Sequence, residues 1–132
     1  MTYVAGLRVL LTTFAIMTVL EYHFKHGNSL QEREFSTNAF AWLKDHVGPC
    51  ILDIESGREK HQKQFAPLLA ESVGIVLRSD ILLNGKHRAK LWKGEKWSMA
   101  RIFVKAVYGP DLCSFFVAFD DDTIALQFKL AC

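Results

Sequence analysis

The chain has 132 residues, of which 50% are hydrophobic and 23% are charged, and its formal net charge is +2. This length and composition predict a single α+β domain over residues 1–132, and they exclude a disordered chain and a strongly basic nucleic-acid coat. The spacing of the three cysteines matches neither a zinc knuckle nor a disulfide-rich secreted scaffold: Cys50, Cys113 and Cys132. We therefore expect reduced thiols and a cytoplasmic protein.

The amino-terminal segment carries a long apolar pattern with helical spacing. Apolar residues recur there at intervals of four and three: Tyr3, Leu7, Leu10, Phe14 and Met17. This spacing predicts a helix that ends near His26. Residues 9–20 form an apolar run that follows Arg8, as in a signal peptide, but the run is shorter than the roughly 20 residues of a membrane span. We interpret it as a buried helix and not as a signal or anchor.

Further helical signals follow this segment. Residues 29–32 have the spacing of a capping box, which predicts the start of a short helix. Residues 36–47 carry apolar side chains on one side of a second helical stretch. The Gly48-Pro49 dipeptide is expected to end that stretch, because glycine and proline stop helices.

The next signals predict one strand and one polar helix. Residues 50–55 have the composition of a short strand. A second capping-box pattern at residues 56–59 predicts the start of a polar helix. Pro67 is expected to break or restart this helix before Gly74 ends it.

From residue 73 onward, apolar residues alternate with a period of two, which predicts an antiparallel meander. The predicted strands are 75–83, 86–93, 97–108, 112–119 and 123–130, and the predicted turns are 84–85, 94–95, 109–111 and 120–122. Helices followed by strands indicate an α+β fold, with amino-terminal helices packed on a curved carboxy-terminal antiparallel sheet.

This order of predicted elements is similar to that of the nuclear-transport-factor-two-like cone fold. The resemblance is in element order only and rests on no sequence motif. It implies a curved sheet that wraps a long helix and leaves a pocket for a substrate, a protein partner or nothing. Since a fold of this kind hosts many functions, the resemblance specifies none of them.

A basic hairpin is predicted at residues 86–101, beginning with the segment KHRAKLWKGEKW. Its predicted partner-binding residues are Lys86, Arg88, Lys90, Trp92, Lys93, Lys96, Trp97 and Arg101. In a strand, Lys86, Arg88 and Lys90 project from one face. Cations interleaved with aromatic rings suit single-stranded nucleic acid. The pattern nevertheless favours a hairpin whose lysines discourage edge pairing and whose tryptophans face the core, since no ribonucleoprotein motif accompanies it.

Two acidic residues are candidates for acid–base chemistry. Asp53 and Glu55 alternate by two on the predicted strand, so both lie on one face. On a concave face they could raise each other's pKa and act as base and acid. His46 and His61 are the candidate companions.

One histidine pair is a candidate metal site. His23 and His26 lie three residues apart, which makes them neighbours on the surface of the predicted helix. A third ligand at a recognisable spacing is absent, so we predict no resident metal and no cofactor.

The interpretation favoured by these patterns is a small non-enzymatic interaction protein that binds a macromolecule. A protein partner or self-association, in an adaptor or inhibitor role, would use apolar helix surface that the fold leaves spare at the amino terminus. One alternative is a cone-fold hydratase, isomerase or hydrolase that uses a carboxylate and a histidine. Another is a single-stranded nucleic-acid binder that uses the basic hairpin. No membrane partner is expected.

Overall fold

A computed structural model of the chain describes residues 3–11, 16–25, 30–56, 62–75, 87–104 and 111–132. The elements along these residues are β1 (Tyr3–Leu11), β2 (Ile16–Lys25), α1 (Leu30–His46), β3 (Leu52–Glu55), α2 (Gln62–Val73), β4 (His87–Lys93), β5 (Trp97–Val104), β6 (Leu112–Phe119) and α3 (Asp122–Ala131). The predicted α+β class is confirmed. In this part of the chain, no helix has both the length and the apolar character needed to cross a membrane.

The described strands form one six-stranded sheet in the order β1-β2-β6-β5-β4-β3, and every neighbouring pair is antiparallel. Strands β4, β5 and β6 pair in chain order, as the predicted antiparallel meander requires. Strand β3, which the sequence predicted as a separate early strand, pairs with β4. The hairpin of β1 and β2 extends the sheet, because β2 pairs with β6. The sheet is open, with β1 and β3 at its two edges, and the cone-like shape is not confirmed.

Helices pack on both faces of this sheet. On the first face, which we call the α1/α3 face, Leu43 of α1 and Phe128 of α3 belong to one buried cluster with Phe115 of β6. On the second face, the α2 face, Phe65 of α2 is buried with Leu91 of β4. The sheet is therefore the middle of three layers.

The predicted amino-terminal helix is wrong, because residues 3–11 and 16–25 are the strands β1 and β2. Their pairing runs in unbroken register from Tyr3 opposite Phe24 to Leu11 opposite Ile16. The apolar run is so continuous that it also satisfies helical spacing. Strand β2 shows the deciding alternation, with buried Leu20, Tyr22 and Phe24 between the less buried Glu21, His23 and Lys25. That alternation fits a strand with one face under α1 and α3.

The predicted last strand is also wrong, because residues 122–131 form the helix α3. The Asp121 side chain caps this helix by accepting hydrogen bonds from the backbone N–H groups of Thr123 and Ile124. In an alternating pattern, every apolar residue also has another apolar residue four positions away. Residues four apart lie on the same face of a helix, so the same pattern fits a helix as well as a strand. Side-chain capping satisfies backbone donors that a free helix start would leave unpaired, which favours the helix.

The other helices differ from prediction in extent. Helix α1 is continuous where two stretches were predicted, and Pro67 lies inside α2 without breaking it. Because Phe65 and Leu69 on either side of Pro67 are fully buried, packing offsets the cost of about 3 kcal/mol that an internal proline carries. Gly74 ends α2 as predicted, with a positive φ of 73°.

Several predicted features lie outside the described residues. These are the start of the capping box at 29–32, most of the box at 56–59, the strand 75–83 beyond Ile75, the turn at 84–85, the end of the strand 97–108 and most of the turn at 109–111. The helix stop at Gly48-Pro49, the turn at 94–95 and the strand 112–119 are confirmed.

Candidate functional site

The predicted acidic pair and the predicted basic hairpin meet on the α1/α3 face. Strand β3 pairs with β4 so that Glu55 lies opposite Lys90 and Asp53 lies opposite Trp92. The ammonium of Lys90 is 3.5 Å from the Asp53 carboxylate and 3.2 Å from the Glu55 carboxylate. The two candidate sites are thus one surface, on which opposite charges neutralise each other. We call it the charged surface and define it by Asp53, Glu55, Arg88, Lys90 and Trp92.

The carboxylates of the charged surface are open to solvent. The side chains of Asp53 and Glu55 are 54% and 41% exposed, respectively. General acid–base catalysis benefits from an enclosed site that shifts the pKa of its groups, and this surface provides no such enclosure around the pair. His46 lies at the end of α1, where its ring stacks on Trp42 and its Nδ1 donates to the Trp42 carbonyl at 3.0 Å. His61 lies outside the described residues.

The two tryptophans of the basic hairpin differ in their surroundings. Trp97 is buried, and its Nε1 donates to the carbonyl of Gly48 at 2.9 Å, so its ring is not available to stack on a base. Trp92 is half-buried and contacts Phe40 of α1 edge to face, with ring centroids 4.9 Å apart. The Lys90 ammonium lies 5.0 Å from the Trp92 centroid. The hairpin therefore directs one tryptophan into the core and pairs the other with a cation.

The predicted cations do not form one continuous track. Arg88, Lys90 and Arg101 lie on the α1/α3 face, where Arg101 forms an ion pair with the buried Glu32 of α1. The side chain of Lys93 instead reaches Ser72 of α2, and its ammonium donates to the hydroxyl at 3.2 Å. Lys96 is exposed in the turn between β4 and β5, and Lys86 lies outside the described residues.

The candidate metal pair is not supported by any nearby ligand set. His23 is exposed on β2 and shares a hydrogen bond of 2.7 Å with Ser114 of the neighbouring strand β6. His26 lies outside the described residues. Across the ranges that the structure covers, no group of three His, Cys, Asp or Glu residues is arranged to hold a metal ion.

A shallow groove of about 320 Å³ runs between α1 and α3, with Phe35, Asn38 and Cys132 among its lining residues. Burial raises the pKa of the Cys132 thiol above its ordinary value. A thiol with a raised pKa is protonated at neutral pH and is a poor nucleophile. The groove therefore does not present an activated cysteine.

Sequence reasoning missed a different feature, the edge of the sheet at β1. This strand has nine residues and pairs with β2 on one side. On its other side, no described strand pairs with it. Arg8 is its one charged residue, it contains no proline, and its register with β2 has no bulge. The signal that could have indicated the hairpin is the alternation in β2, which is also richer in β-branched and aromatic residues than β1.

The opposite edge, at β3, has the features by which natural sheets discourage pairing. Strand β3 has four residues, two of which are the charged Asp53 and Glu55, and Pro49 precedes it closely. Short strands, charges and proline all protect an edge from added strands. Of the two edges of the described sheet, β1 is therefore the longer one and carries fewer charged residues.

Helix α3 exposes two large apolar side chains on the α1/α3 face of the sheet. Leu126 is 57% exposed and Leu130 is 81% exposed. They lie four residues apart and therefore on the same side of the helix.

No protein-family model, curated protein or solved structure compared with the chain matches it.

Proposed function

We propose that this chain is a small, non-enzymatic interaction protein whose partner is another polypeptide, bound as an extended strand along the free edge of β1. The observation that carries the proposal is the unbroken nine-residue strand β1, which pairs on one side only among the described strands. An added strand would continue the hydrogen-bond ladder of the sheet through its backbone N–H and C=O groups.

The difference between the two edges supports this proposal. An exposed edge that is long and apolar invites pairing with other chains, and natural sheets protect the edges that they do not use. This sheet has such protection at β3, which is short, contains two charged residues and follows Pro49, whereas β1 is longer and contains Arg8 as its one charged residue. The asymmetry favours a β1 edge that is covered by a partner.

The chemistry of the edge favours a polypeptide over nucleic acid. Nucleic-acid affinity depends on cations that neutralise phosphates, and β1 carries only Arg8. On the hairpin, Lys90 contacts Asp53 and Glu55, and Arg101 contacts Glu32, so carboxylates already compete for these cations. The surface offered to a partner is therefore a sheet edge, because residues 3–11 and 16–25 are strands and provide no helix surface.

Proline substitutions at adjacent β1 residues test the proposal. In a strand, successive backbone N–H groups point to opposite sides, so of Gly6 and Leu7 one donates toward β2 and the other toward the free edge. We expect one of the variants Gly6→Pro and Leu7→Pro to lose thermal stability. The other should keep its melting temperature and lose binding of extended peptides selected by display against the full chain.

Amide hydrogen exchange shows where the selected peptides bind. We expect bound peptide to slow exchange in residues 3–11 and to leave exchange in residues 52–55, the other edge, unchanged. Protection of β3 without β1 would contradict the proposal. So would peptide binding that both proline variants retain at the affinity of the parent chain.

A further inference from the structure

We infer that a cleft at the end of α2 binds a small zwitterion, a molecule with one carboxylate and one ammonium group, such as a free amino acid. The cleft has a volume of about 240 Å³ and lies on the α2 face of the sheet, beside the turn between β4 and β5. We call it the α2 cleft and define it by the residues that the inference uses: Glu71, Ser72, Lys93, Glu95, Ser98 and Asp120. None of these residues belongs to β1, so the inference does not depend on the proposed strand addition.

Strand pairing brings the inner residues of the α2 cleft together. Lys93 at the end of β4 lies directly opposite Ser98 of β5, and Ser98 lies opposite Ala118 of β6. Directly opposed residues project from the same face of a sheet, and Ala118 belongs to the buried cluster on the α2 face. The side chains of Lys93 and Ser98 therefore both lie on the face that α2 covers.

The inner part of the α2 cleft offers hydrogen-bond donors to a carboxylate. Ser72 and Ser98 are 1% and 5% exposed, respectively, so they form its inner wall. The Lys93 ammonium donates to the Ser72 hydroxyl at 3.2 Å, which holds the positive charge in this position. An ammonium has three hydrogens, so the same group can also donate to a bound carboxylate. Hydrogen bonds from a cation to a carboxylate are among the strongest in proteins.

The rim of the α2 cleft is acidic. It contains Glu71 near the end of α2, Glu95 in the turn between β4 and β5, and Asp120 directly after β6, and all three are exposed. Among the described residues that line the cleft, these three carboxylates stand against the ammonium groups of Lys93 and Lys96. The rim therefore attracts a positive group, while the inner wall attracts a negative one.

This separation of charge favours a ligand that carries both signs. A simple anion that reaches the inner wall would be repelled by the rim carboxylates, and a simple cation would be repelled by Lys93. A zwitterion with its carboxylate inward and its ammonium at the rim is attracted by both parts. The volume of about 240 Å³ lies below the roughly 300–1,000 Å³ of pockets for drug-sized ligands, so it suits a molecule of amino-acid size.

Titration of the full chain, followed by amide NMR spectra, tests the charge requirement. The zwitterionic probes are free glycine, γ-aminobutyrate and ε-aminocaproate, in which the charges are increasingly far apart, and butyrate and butylamine carry one charge each. We expect at least one zwitterion to bind at millimolar concentration, to shift the amide signals of Ser72, Gly94 and Ser98, and to bind at least about tenfold more tightly than butyrate and butylamine. Failure of all three zwitterions, or equal binding of a singly charged probe, would overturn the inference.

A lysine substitution tests the inner wall. Lys93→Met removes the charge and keeps most of the side-chain length, so we expect the zwitterion to bind at least about tenfold more weakly. Lys25→Met is the matched control. Lys25 is an exposed lysine of β2 opposite Leu112, at the other end of β6 from Ala118. The control should bind as the parent chain does, and equal affinity of the two variants would overturn the inference.

A double substitution tests the rim, and it does not depend on Lys93→Met being folded. Glu71 and Glu95 are exposed, so Glu71→Gln combined with Glu95→Gln should keep the melting temperature of the parent. We expect this variant to bind the zwitterion at least about fivefold more weakly, and to bind butyrate at least as tightly as the parent because repulsion of an anion decreases. Unchanged zwitterion binding in the double variant would overturn the inference and leave the proposed strand addition intact.

Discussion

Arg101 on β5 donates to one carboxylate oxygen of Glu32 on α1 through both Nε and Nη2, at 2.8 and 2.6 Å. The Glu32 side chain is only 5% exposed, whereas that of Arg101 is 29% exposed. The pair fixes α1 to the sheet by a charged hydrogen bond whose carboxylate is buried. Such a pair restricts how the helix can sit, because any shift would leave a buried carboxylate without its cation.

Replacing one member of this pair should destabilise the fold strongly. We expect Arg101→Leu to lower the free energy of unfolding by about 3 kcal/mol, because it leaves the buried Glu32 carboxylate without its guanidinium. Urea denaturation measures the change. Arg88→Leu is the matched control on the same face, and we expect an effect within about 0.5 kcal/mol because Arg88 is exposed.

The double variant isolates the contribution of burial. Arg101→Leu combined with Glu32→Leu should be more stable than Arg101→Leu alone, since an apolar pair carries no desolvation cost. Equal stability of Arg101→Leu and Arg88→Leu would contradict a structural role for the ion pair.

A methyl group at Gly94 should disturb the turn between β4 and β5. A Cβ there would lie 2.7 Å from Cε2 and 2.8 Å from Cδ1 of the Trp97 ring. The Trp97 ring cannot move freely, because it is buried and its Nε1 donates a hydrogen bond to the Gly48 carbonyl. We expect Gly94→Ala to cost about 1–3 kcal/mol, as overpacking does. Thermal denaturation should separate it from the control Lys96→Ala, and identical melting of the two would contradict the contact.

The cap of α3 gives a direct test of the helix at residues 122–131. Asp121 accepts from two backbone N–H groups, at 2.7 and 3.2 Å, so Asp121→Ala should cost about 1 kcal/mol. Asp120→Ala is the control, because Asp120 is exposed and precedes the cap. Chemical denaturation measures both variants. Equal stability of the two alanine variants would contradict a stabilising role for the Asp121 cap.

The buried thiol of Cys113 should make stability fall at alkaline pH. Burial raises the pKa of this thiol from 9.0 to about 12. A thiol in the unfolded chain ionises near pH 9, so the unfolded state loses protons first and is favoured as the pH rises. The stabilising contribution is therefore complete below pH 9 and is lost between about pH 9 and 12.

The measurement is the free energy of unfolding at pH 8 and at pH 10. We expect the decrease over this interval to be smaller in Cys113→Ala than in the parent chain. Cys50→Ala should keep the decrease of the parent, because Cys50 is only half-buried. A decrease that is the same in all three proteins would show that Cys113 does not contribute to it.

Strands β4 to β6 were predictable because two kinds of local signal agree there. Alternating apolar residues and turn-forming residues both mark strand 112–119 and the turn at 94–95, and the structure confirms both. The amino terminus offers no such agreement. Its apolar run fits a helix and a strand alike, and what decides is the pairing of β2 with β6, for example Glu21 opposite Phe116. That pairing joins segments far apart in the chain.

For the candidate surfaces, too, local patterns predicted some features, and long-range strand pairing decided the others. A period of two correctly placed Asp53 with Glu55 on one face, and Arg88 with Lys90 on one face. That these pairs meet follows from the pairing of β3 with β4, which no local pattern specifies. The free edge of β1 was likewise unpredictable, because the identity of an edge strand depends on the order of the whole sheet.

The unequal protection of β1 and β3 also limits how large an assembly can become. A sheet with two unprotected edge strands could add strands at both edges and grow into a fibre. Here the β1 edge lacks such protection, whereas the β3 edge is protected by its acidic residues and its short length. Under the proposed strand addition, the sheet would therefore accept a partner strand at β1 and would not extend at β3.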